Sequence, residues 1–331
     1  MQKDKSFLIR YGMLFIVLVS LVVGGLAFLF RVPPAGQAQS FRIAPGESVT
    51  HIASRLADDH LIGFSMAFTM YAAWSGMYGD FKPGTYVLAP QPVWAVAHEL
   101  AQGPQDVAVT IAPGMTLIEI DQRLSREGII PAGSLEALSP GTFVDAYPFL
   151  KGVTSFEGFF MPDTYRFAPD SKPADVVTTL LDNFVARTKN LWQGTSASDV
   201  QRTIIVASLL EKEVIDFKDK QLVAGIIQKR LDAGMPLQID ASVLYGACGG
   251  TFLDCPSLRA SDFKRDTPFN TYLHKGLPPH AIDNPTLDSI RAALSPLASS
   301  YWFYLTDPTT KKTIFSATFN EHIASQVHVG I

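Results

Sequence analysis

The stretch VQRTIIVASLLEKEVI, residues 200–215, decides the fold of this 331-residue chain. It predicts a helix with apolar side chains around most of its circumference, and a helix of that kind is buried inside a domain. The helix ends in Glu211-Lys212-Glu213. The two glutamates lie about 200° apart around the helix axis and cannot point the same way. One of them can therefore face a cleft while the other pairs elsewhere.

Glu211 carries the clearer signal for chemistry. Ala207 and Ser208 lie one turn before it, and Val214 and Ile215 follow it. Apolar neighbours and the partial negative charge of a helix C-terminus both oppose ionisation, so we expect its pKa to be raised. Such an acid can hold a proton near neutral pH and donate it to a glycosidic oxygen. A frayed helix end with solvated glutamates is the plainer interpretation.

The sequence around this helix predicts an α+β domain, because further helical patterns alternate with a hairpin. Ser198 is a candidate N-cap of the buried helix, and Gly234 is the stop signal of the next one. The predicted elements are helices at 173–189, 198–215 and 216–233, strands at 301–305 and 313–315 around a DPTTKK turn, and a short helix from Asn320.

A short internal repeat precedes this domain. The sequence IAPG occurs at residues 43–46 and again at 111–114, each time followed by apolar residues at the same offsets. Each copy predicts a strand, a Pro-Gly turn and an amphipathic helix, with Ser48 and Thr116 as N-caps. Residues 84–88 predict another strand. The first unit resembles the LysM module, which binds N-acetylglucosamine polymers; a small module that only orients the next domain fits the pattern equally well.

The N-terminal segment predicts a membrane anchor. Residues 11–30 contain no charged side chain, and twenty residues at ~1.5 Å each span the ~30 Å of a hydrocarbon core. Three basic residues precede the segment and one, Arg31, follows it, which places the N-terminus in the cytoplasm and the rest outside. A cleaved signal peptide with a site near residues 36–38 is the alternative.

Composition and motif searches exclude several classes of protein. A net charge of −4 without basic runs argues against nucleic-acid binding. The chain has no GxSxG, P-loop, GxGxxG or HExxH motif, and no cluster of residues completes a metal site. Cys248 and Cys255 are too few for a disulfide scaffold. Outside the membrane they can close a local disulfide, which is a better interpretation than a zinc pair.

Further polar residues stand in aromatic or rigid surroundings. The loop SFEGFFMPDTYRF, residues 155–167, places Glu157 and Asp163 among five aromatic side chains. Such a loop suits a carbohydrate groove, where rings stack and a few polar groups orient the sugar. A buried aromatic cluster with a salt bridge is the alternative. The remaining polar candidates, none specific alone, are Gln238, Asp240, Asn270 and Tyr272.

Taken in order, these segments resemble the endolytic murein transglycosylase family (MltG, or YceG-like). The resemblance covers nearly the whole chain. The matching segments are EGFFMPDTYRF from Glu157, ASLLEKEV from Ala207, RLDAGMPLQID from Arg230, then VLYG, PFNTY, KGLPP, WFYLTD and FSATFNEH. The chain departs from the family pattern at Ile239-Asp240-Ala241, at His280 and in the insert between the two cysteines.

The resemblance implies a catalytic role for Glu211, the first acid of EKE. The implied reaction cleaves the MurNAc–GlcNAc β-1,4 bond of peptidoglycan without water and leaves 1,6-anhydro ends, with Glu211 acting as acid and then as base. It implies no metal and no organic cofactor. The implied partners are peptidoglycan strands and penicillin-binding synthases. The implied substrate-binding residues are Glu157, Asp163, Tyr165, Gln238, Asp240, Asn270 and Tyr272.

The predicted organisation is a single-pass protein of the cytoplasmic (inner) membrane with its enzymatic part outside. The predicted segments are a cytoplasmic N-terminus (1–10), a transmembrane helix (11–30), a linker (31–40), a LysM-like α+β subdomain (41–106) and a mixed α+β catalytic domain (107–331). Two other functions remain open. One is a non-catalytic glycan-binding scaffold for wall synthesis, and the other is a glycoside hydrolase that pairs Glu211 with Glu157 or Asp240.

Overall fold

The computed structural model describes residues 13, 15, 16, 19–21, 23–25, 28, 30–104 and 106–330. These residues form two compact units. Unit 1 extends to Val107 and includes 168–170; unit 2 contains 108–167 and continues from Ser171. The predicted domain boundary, between residues 106 and 107, lies next to this division.

The described elements alternate between helices and short strands. The strands are β1 (Gln39–Ile43), β2 (Gly84–Leu88), β3 (Val107–Ile111), β4 (Asp163–Phe167), β5 (Phe303–Thr306) and β6 (Thr313–Ser316). The α-helices are α1 (Val49–Asp58), α2 (Ser65–Ser75), α3 (Val93–Gln102), α4 (Leu117–Arg126), α5 (Ser134–Ala137), α6 (Pro173–Thr188), α7 (Ala197–Glu213), α8 (Phe217–Asp232), α9 (Asp240–Ala247), α10 (Leu287–Leu294) and α11 (Phe319–Val329). The α+β prediction is confirmed.

Unit 1 has the order β1-α1-α2-β2-α3, with β1 and β2 antiparallel. Its core is made by alternate residues of the two strands and by one face of each helix, including Phe41, Leu56 and Phe68. Both repeat copies begin their helices as predicted. The Ser48 side chain accepts a hydrogen bond from the His51 amide, and Thr116 forms a capping box that caps α4 in the same way.

The predicted cytoplasmic residues 1–10 lie outside the described residues, as does much of the predicted transmembrane segment 11–30. Within the described part of the chain, no helix is both long enough and apolar enough to cross a bilayer.

Unit 2 is built around α7, which packs against α8, α9 and α10. The predicted burial of this helix is confirmed, since Ile204, Leu209 and Leu210 are fully enclosed. The helix begins two residues earlier than expected, because Ser196 rather than Ser198 accepts the hydrogen bond from the Asp199 amide. Strand β3 pairs with β4, and β5 with β6, so the predicted C-terminal hairpin is also confirmed.

Asn284 joins distant parts of unit 2. Its side-chain oxygen accepts hydrogen bonds from the amides of Gly158 and Phe160, at 3.0 and 2.8 Å. Its side-chain nitrogen donates to the Met115 carbonyl and to Glu157, each at 3.0 Å. One buried amide therefore connects the start of α4, the loop before β4 and the loop before α10. The last turn of α7 is joined to the same region, because Lys212 donates a hydrogen bond to the Gly114 carbonyl and the Gly114 amide donates to the Asn284 carbonyl.

Candidate active site

Glu211 is embedded in a network of hydrogen bonds at the end of α7. Its Oε2 atom accepts hydrogen bonds from the Thr286 amide at 3.0 Å, from the Thr286 hydroxyl at 2.7 Å and from the Ser289 hydroxyl. The ammonium of Lys220 lies 3.3 Å away, and both members of this ion pair are at least 90% buried. The carboxylate also sits at the N-terminus of α10, where the helix dipole favours a negative charge.

These contacts reverse the expected protonation of Glu211. Burial alone would raise the pKa of Glu211, but the hydrogen bonds from Ser289 and Thr286 and the charge of Lys220 outweigh it and hold the pKa below its usual value. The prediction of a raised pKa was wrong, because sequence neighbours are apolar whereas the contacts in the fold are donors and a cation. Glu211 is therefore ionised at neutral pH.

Glu213 faces a different environment, a cleft of about 420 Å³ that we call the Glu213 cleft. Its carboxylate accepts hydrogen bonds from the Tyr304 hydroxyl and the Ala241 amide. Burial, assisted by the negative charge of Asp240, raises the pKa of Glu213 to about 7 against the effect of these two donors. A carboxylic acid with this pKa carries a proton part of the time at neutral pH, which suits a group that both gives and takes protons.

Three of the predicted substrate-binding residues line the Glu213 cleft: Gln238, Asp240 and Tyr272. The Tyr272 hydroxyl donates to Asp240 Oδ1 at 2.6 Å. Gln238 has a left-handed backbone, with φ of +54°, and its amide donates to the Thr271 carbonyl at 3.1 Å. A side chain rarely tolerates this conformation, and such strain is concentrated at functional sites. The fold therefore brings three of the predicted substrate-binding residues together in one cleft.

Cationic and aromatic side chains complete the Glu213 cleft. Arg230 donates to the Leu237 carbonyl at 2.6 Å and to the Trp302 carbonyl, which fixes a positive charge in the wall. Lys212 donates to the Gly114 carbonyl at 2.7 Å and lies 3.9 Å from the centre of the Phe252 ring. Neither of these two cations was among the predicted site residues. The other lining residues that were not predicted are Phe303, Tyr304, Leu305, Thr306, Phe319, His322 and Gln326.

Glu157 lies outside the Glu213 cleft and is fully buried. Its two oxygens accept hydrogen bonds from the Leu117 amide, the Tyr245 hydroxyl at 3.1 Å and the Asn284 side chain. Burial raises the pKa of Glu157 to about 8 in spite of these donors. Through these contacts the carboxyl group of Glu157 connects α4, α9 and the loop before α10.

The other predicted substrate-binding residues are also apart from the Glu213 cleft. Asp163 forms an ion pair with Arg187, whose hydrogen bond holds the pKa of Asp163 below its usual value. The Tyr165 hydroxyl donates to the Met161 carbonyl at 2.6 Å and accepts from Asn183. Asn270 is buried and bonds to backbone groups, among them the Tyr272 amide, so it shapes the loop that presents Tyr272.

Asp283 is a buried acid with unusual surroundings. Neither carboxyl oxygen has a hydrogen-bond partner among the described residues. Burial raises the pKa of Asp283 well above its usual value, and the nearby carboxylates of Glu157 and Glu211 act in the same direction against the charge of Lys212. Burial therefore favours the neutral, protonated form of Asp283.

Cys248 and Cys255 form a disulfide. In the described ranges no group of three or more histidine, cysteine and acidic side chains is placed to hold a metal ion.

A profile of the YceG-like family matches residues 41–327. The chain belongs to the YceG-like family. The fold of this YceG-like chain is similar to the crystal structure of a YceG-like protein from Listeria monocytogenes, with a TM-score of 0.57 and 25% sequence identity. The match covers 87% of this chain and 99% of the Listeria chain.

Two relatives of this YceG-like chain are named endolytic murein transglycosylase. The Bacillus subtilis protein is 29% identical over 303 residues, which cover 86% of this chain and 82% of that protein. The Streptococcus pneumoniae protein is 28% identical over 315 residues, which cover 85% of this chain but only 56% of the Streptococcus protein.

Proposed function

We propose that this chain is a peptidoglycan lytic transglycosylase that cleaves the MurNAc–GlcNAc β-1,4 bond within glycan strands and leaves 1,6-anhydro-MurNAc ends. The observation that carries the proposal is Glu213, a partly buried acid with a pKa of about 7 in a cleft lined by Gln238, Asp240 and Tyr272. Membership of the YceG-like family and the names of two relatives support the same reaction.

In the first step the protonated Glu213 donates its proton to the oxygen that bridges the two sugars. The bond between this oxygen and C1 of MurNAc breaks, and positive charge develops at C1. The carboxylate of Asp240, which shares the cleft, and the acetamido group of the substrate stabilise that charge.

In the second step the ionised Glu213 takes the proton of the C6 hydroxyl. The C6 oxygen forms the new bond to C1 and closes the anhydro ring. Glu213 ends the cycle protonated, so one carboxyl group with a pKa near neutrality serves as acid and then as base. The reaction consumes no water and needs no cofactor.

Glu211 remains the competing assignment for this role. Its lowered pKa and its bonds to Ser289, Thr286 and Lys220 favour a structural part, in which it fixes the end of α7 against α10. Of these two glutamates, Glu213 is the one that lines the cleft.

The test compares Glu213→Gln with Glu211→Gln on purified glycan strands, with products analysed by mass spectrometry. We expect Glu213→Gln to lower the rate by about 10²–10⁴-fold with an unchanged circular dichroism spectrum. Glu211→Gln is expected to retain measurable turnover in a less stable protein. Loss of turnover only in a well-folded Glu211→Gln variant would return the catalytic role to Glu211.

The products separate the alternative functions. An anhydro product is ~18 Da lighter than a hydrolysed one, so the heavier product would indicate a hydrolase that uses Glu213 with Asp240. Binding without any turnover by the wild-type chain would indicate a glycan-binding scaffold.

We also propose the predicted placement of the chain, with residues 11–30 as an anchor in the cytoplasmic membrane and the enzymatic part outside it. The uncharged segment supports the anchor, and the Cys248–Cys255 disulfide is typical of an oxidising compartment outside the cytoplasm. A LysM-like role for unit 1 and partnership with penicillin-binding synthases belong to the same proposal. The β-α-α-β order of unit 1 supports its LysM-like part.

A further inference from the structure

Helix α2 of unit 1 presents a wholly apolar face to solvent. Met66, Met70 and Trp74 follow one another at four-residue intervals and are 62%, 47% and 84% exposed. With the exposed Ala73 they form what we call the α2 face. The opposite side of the helix is buried in the core of unit 1 through Ala67, Phe68 and Ala72. A contiguous exposed surface of this type marks a site of interaction.

The polarity of α2 restricts its partner. The helix contains no charged residue. Two of its hydroxyl groups are already used, because Thr69 donates to the Ser65 carbonyl at 2.7 Å and Ser75 to the Ala72 carbonyl at 3.4 Å. A sugar ring needs hydrogen-bonding groups beside an aromatic platform, and the Met66, Met70 and Ala73 side chains of the α2 face carry no hydrogen-bond donor. Methionine side chains beside a tryptophan, whose indole carries a single polar N–H, fit the boundary between lipid headgroups and acyl chains.

The start of α2 is packed against the end of the uncharged segment. The rings of Phe28 and Phe64 lie 5.1 Å apart, and Phe64 is the residue that immediately precedes α2. The guanidinium of Arg31 lies 5.2 Å from the centres of both rings. Gly63 allows the segment around Arg31 to approach the residues before α2, since a Cβ atom at position 63 would be 2.5 Å from the Arg31 carbonyl oxygen. The residues at the C-terminal end of the proposed anchor are thus packed against the start of α2.

We propose that the α2 face lies in the interface of the lipid bilayer, where it docks unit 1 onto the membrane. This inference rests on the proposed anchor, whose last residues place α2 at the lipid surface. Arg31 then lies at the level of anionic headgroups, a usual position for a basic residue that follows a membrane segment. Trp74 lies at the depth that tryptophan prefers in membrane proteins.

The experiment uses the full chain reconstituted into vesicles of phosphatidylethanolamine and phosphatidylglycerol with brominated acyl chains, which quench nearby tryptophan fluorescence. The difference between the wild type and Trp74→Phe isolates the signal of Trp74. We expect most of the lipid-dependent quenching to be lost in Trp74→Phe, and Trp74 to be shielded from iodide in the aqueous phase.

A matched pair of charge substitutions tests the face itself. Met70 and Val87 are almost equally exposed, at 47% and 46%, but Val87 lies on strand β2 and outside the α2 face. Met70→Asp is expected to reduce the quenching of Trp74 by brominated lipid, whereas Val87→Asp leaves it unchanged.

Three results would overturn the inference. The first is full access of iodide to Trp74 in vesicles, and the second is an equal effect of the two substitutions. The third is protection of Trp74 by soluble glycan oligomers instead of lipid, which would assign the α2 face to sugar. Sedimentation with vesicles and glycan turnover are measured on the same samples. A protein that sediments and turns over but whose Trp74 is not quenched contradicts this inference alone.

Discussion

Glu211 and Glu213, two residues apart, leave the last turn of α7 into opposite environments. Glu211 meets Thr286, Ser289 and the Lys220 ammonium, and its pKa is lowered. Glu213 lines a cleft, and burial raises its pKa to about 7. Pairs of acids whose environments separate their pKa values are the usual sign of divided roles. In this chain Glu211 keeps a negative charge at neutral pH, whereas Glu213 gains and loses its proton near neutral pH.

The Glu211–Lys220 pair should contribute strongly to the stability of unit 2. Replacing Glu211 by Gln leaves a buried ammonium without its counter-charge, and we expect the free energy of unfolding to fall by about 3 kcal/mol in urea denaturation. Asp288 and Arg291 form an exposed ion pair at 3.7 Å and provide the control. Asp288→Asn should change stability little, because exposed pairs contribute little. Equal losses in both variants would contradict this assignment.

Turnover should depend on pH through Glu213. Its acid form is required to protonate the bridging oxygen, so we expect kcat to decline as the pH rises through about 7. The Tyr304 hydroxyl stabilises the ionised form by donating a hydrogen bond. Tyr304→Phe should therefore raise the pKa of Glu213 and move the alkaline limb of the kcat profile to higher pH. A limb that stays in place, or moves to lower pH, would refute the assignment of Glu213.

Two aspartates of the sequence analysis should behave differently. Asp240 lines the Glu213 cleft, whereas Asp163 is paired with Arg187 outside it. Asp240→Asn removes a negative charge beside the developing cation, and we expect kcat/KM to fall by about tenfold or more, a loss of ~1.4 kcal/mol or more in transition-state binding. Asp163→Asn should stay within about twofold. The reverse order, measured by release of anhydro ends, would support the original groove assignment.

Asp283 should make the protein less stable as the pH rises. Its pKa is well above its usual value in the native state, whereas the unfolded chain loses this proton at about pH 3.9. Above that pH the native state binds more protons than the unfolded state, so its stability decreases until the native group itself ionises. Asp283→Asn cannot ionise and should be relatively more stable at pH 8 than at pH 4. An identical dependence on pH in wild type and variant, followed by thermal denaturation, would show that Asp283 does not titrate in this way.

Local sequence patterns predicted the helices well because helix ends depend on nearby residues. The caps at Ser48 and Thr116 and the divergence of the two glutamates follow from spacing alone. Which glutamate reaches the cleft does not, since Thr286 and Ser289 lie 75 and 78 residues beyond Glu211. Such contacts exist only after folding.

The loop 155–167 shows the same limit. Its aromatic residues predicted either a carbohydrate groove or a buried cluster with a salt bridge. The structure contains the features of the second arrangement, with Phe156 and Phe160 stacked and fully enclosed and Asp163 paired to Arg187. A role of this loop in sugar binding stays a prediction. The segment WFYLTD, which supplies Phe303, Tyr304 and Thr306 to the Glu213 cleft, gave a sequence signal only through the family resemblance.

The single amide of Asn284 ties the start of α4 to the loop before β4 across 169 and 124 residues of chain. A protein delivered across a membrane from its N-terminus exposes those two partners long before Asn284 emerges. Tyr304, which completes the surroundings of Glu213, follows later still. Under the proposed placement outside the cytoplasmic membrane, a half-exported chain has not yet assembled the surroundings of Glu213, and cleavage of glycan has to wait until translocation is almost finished.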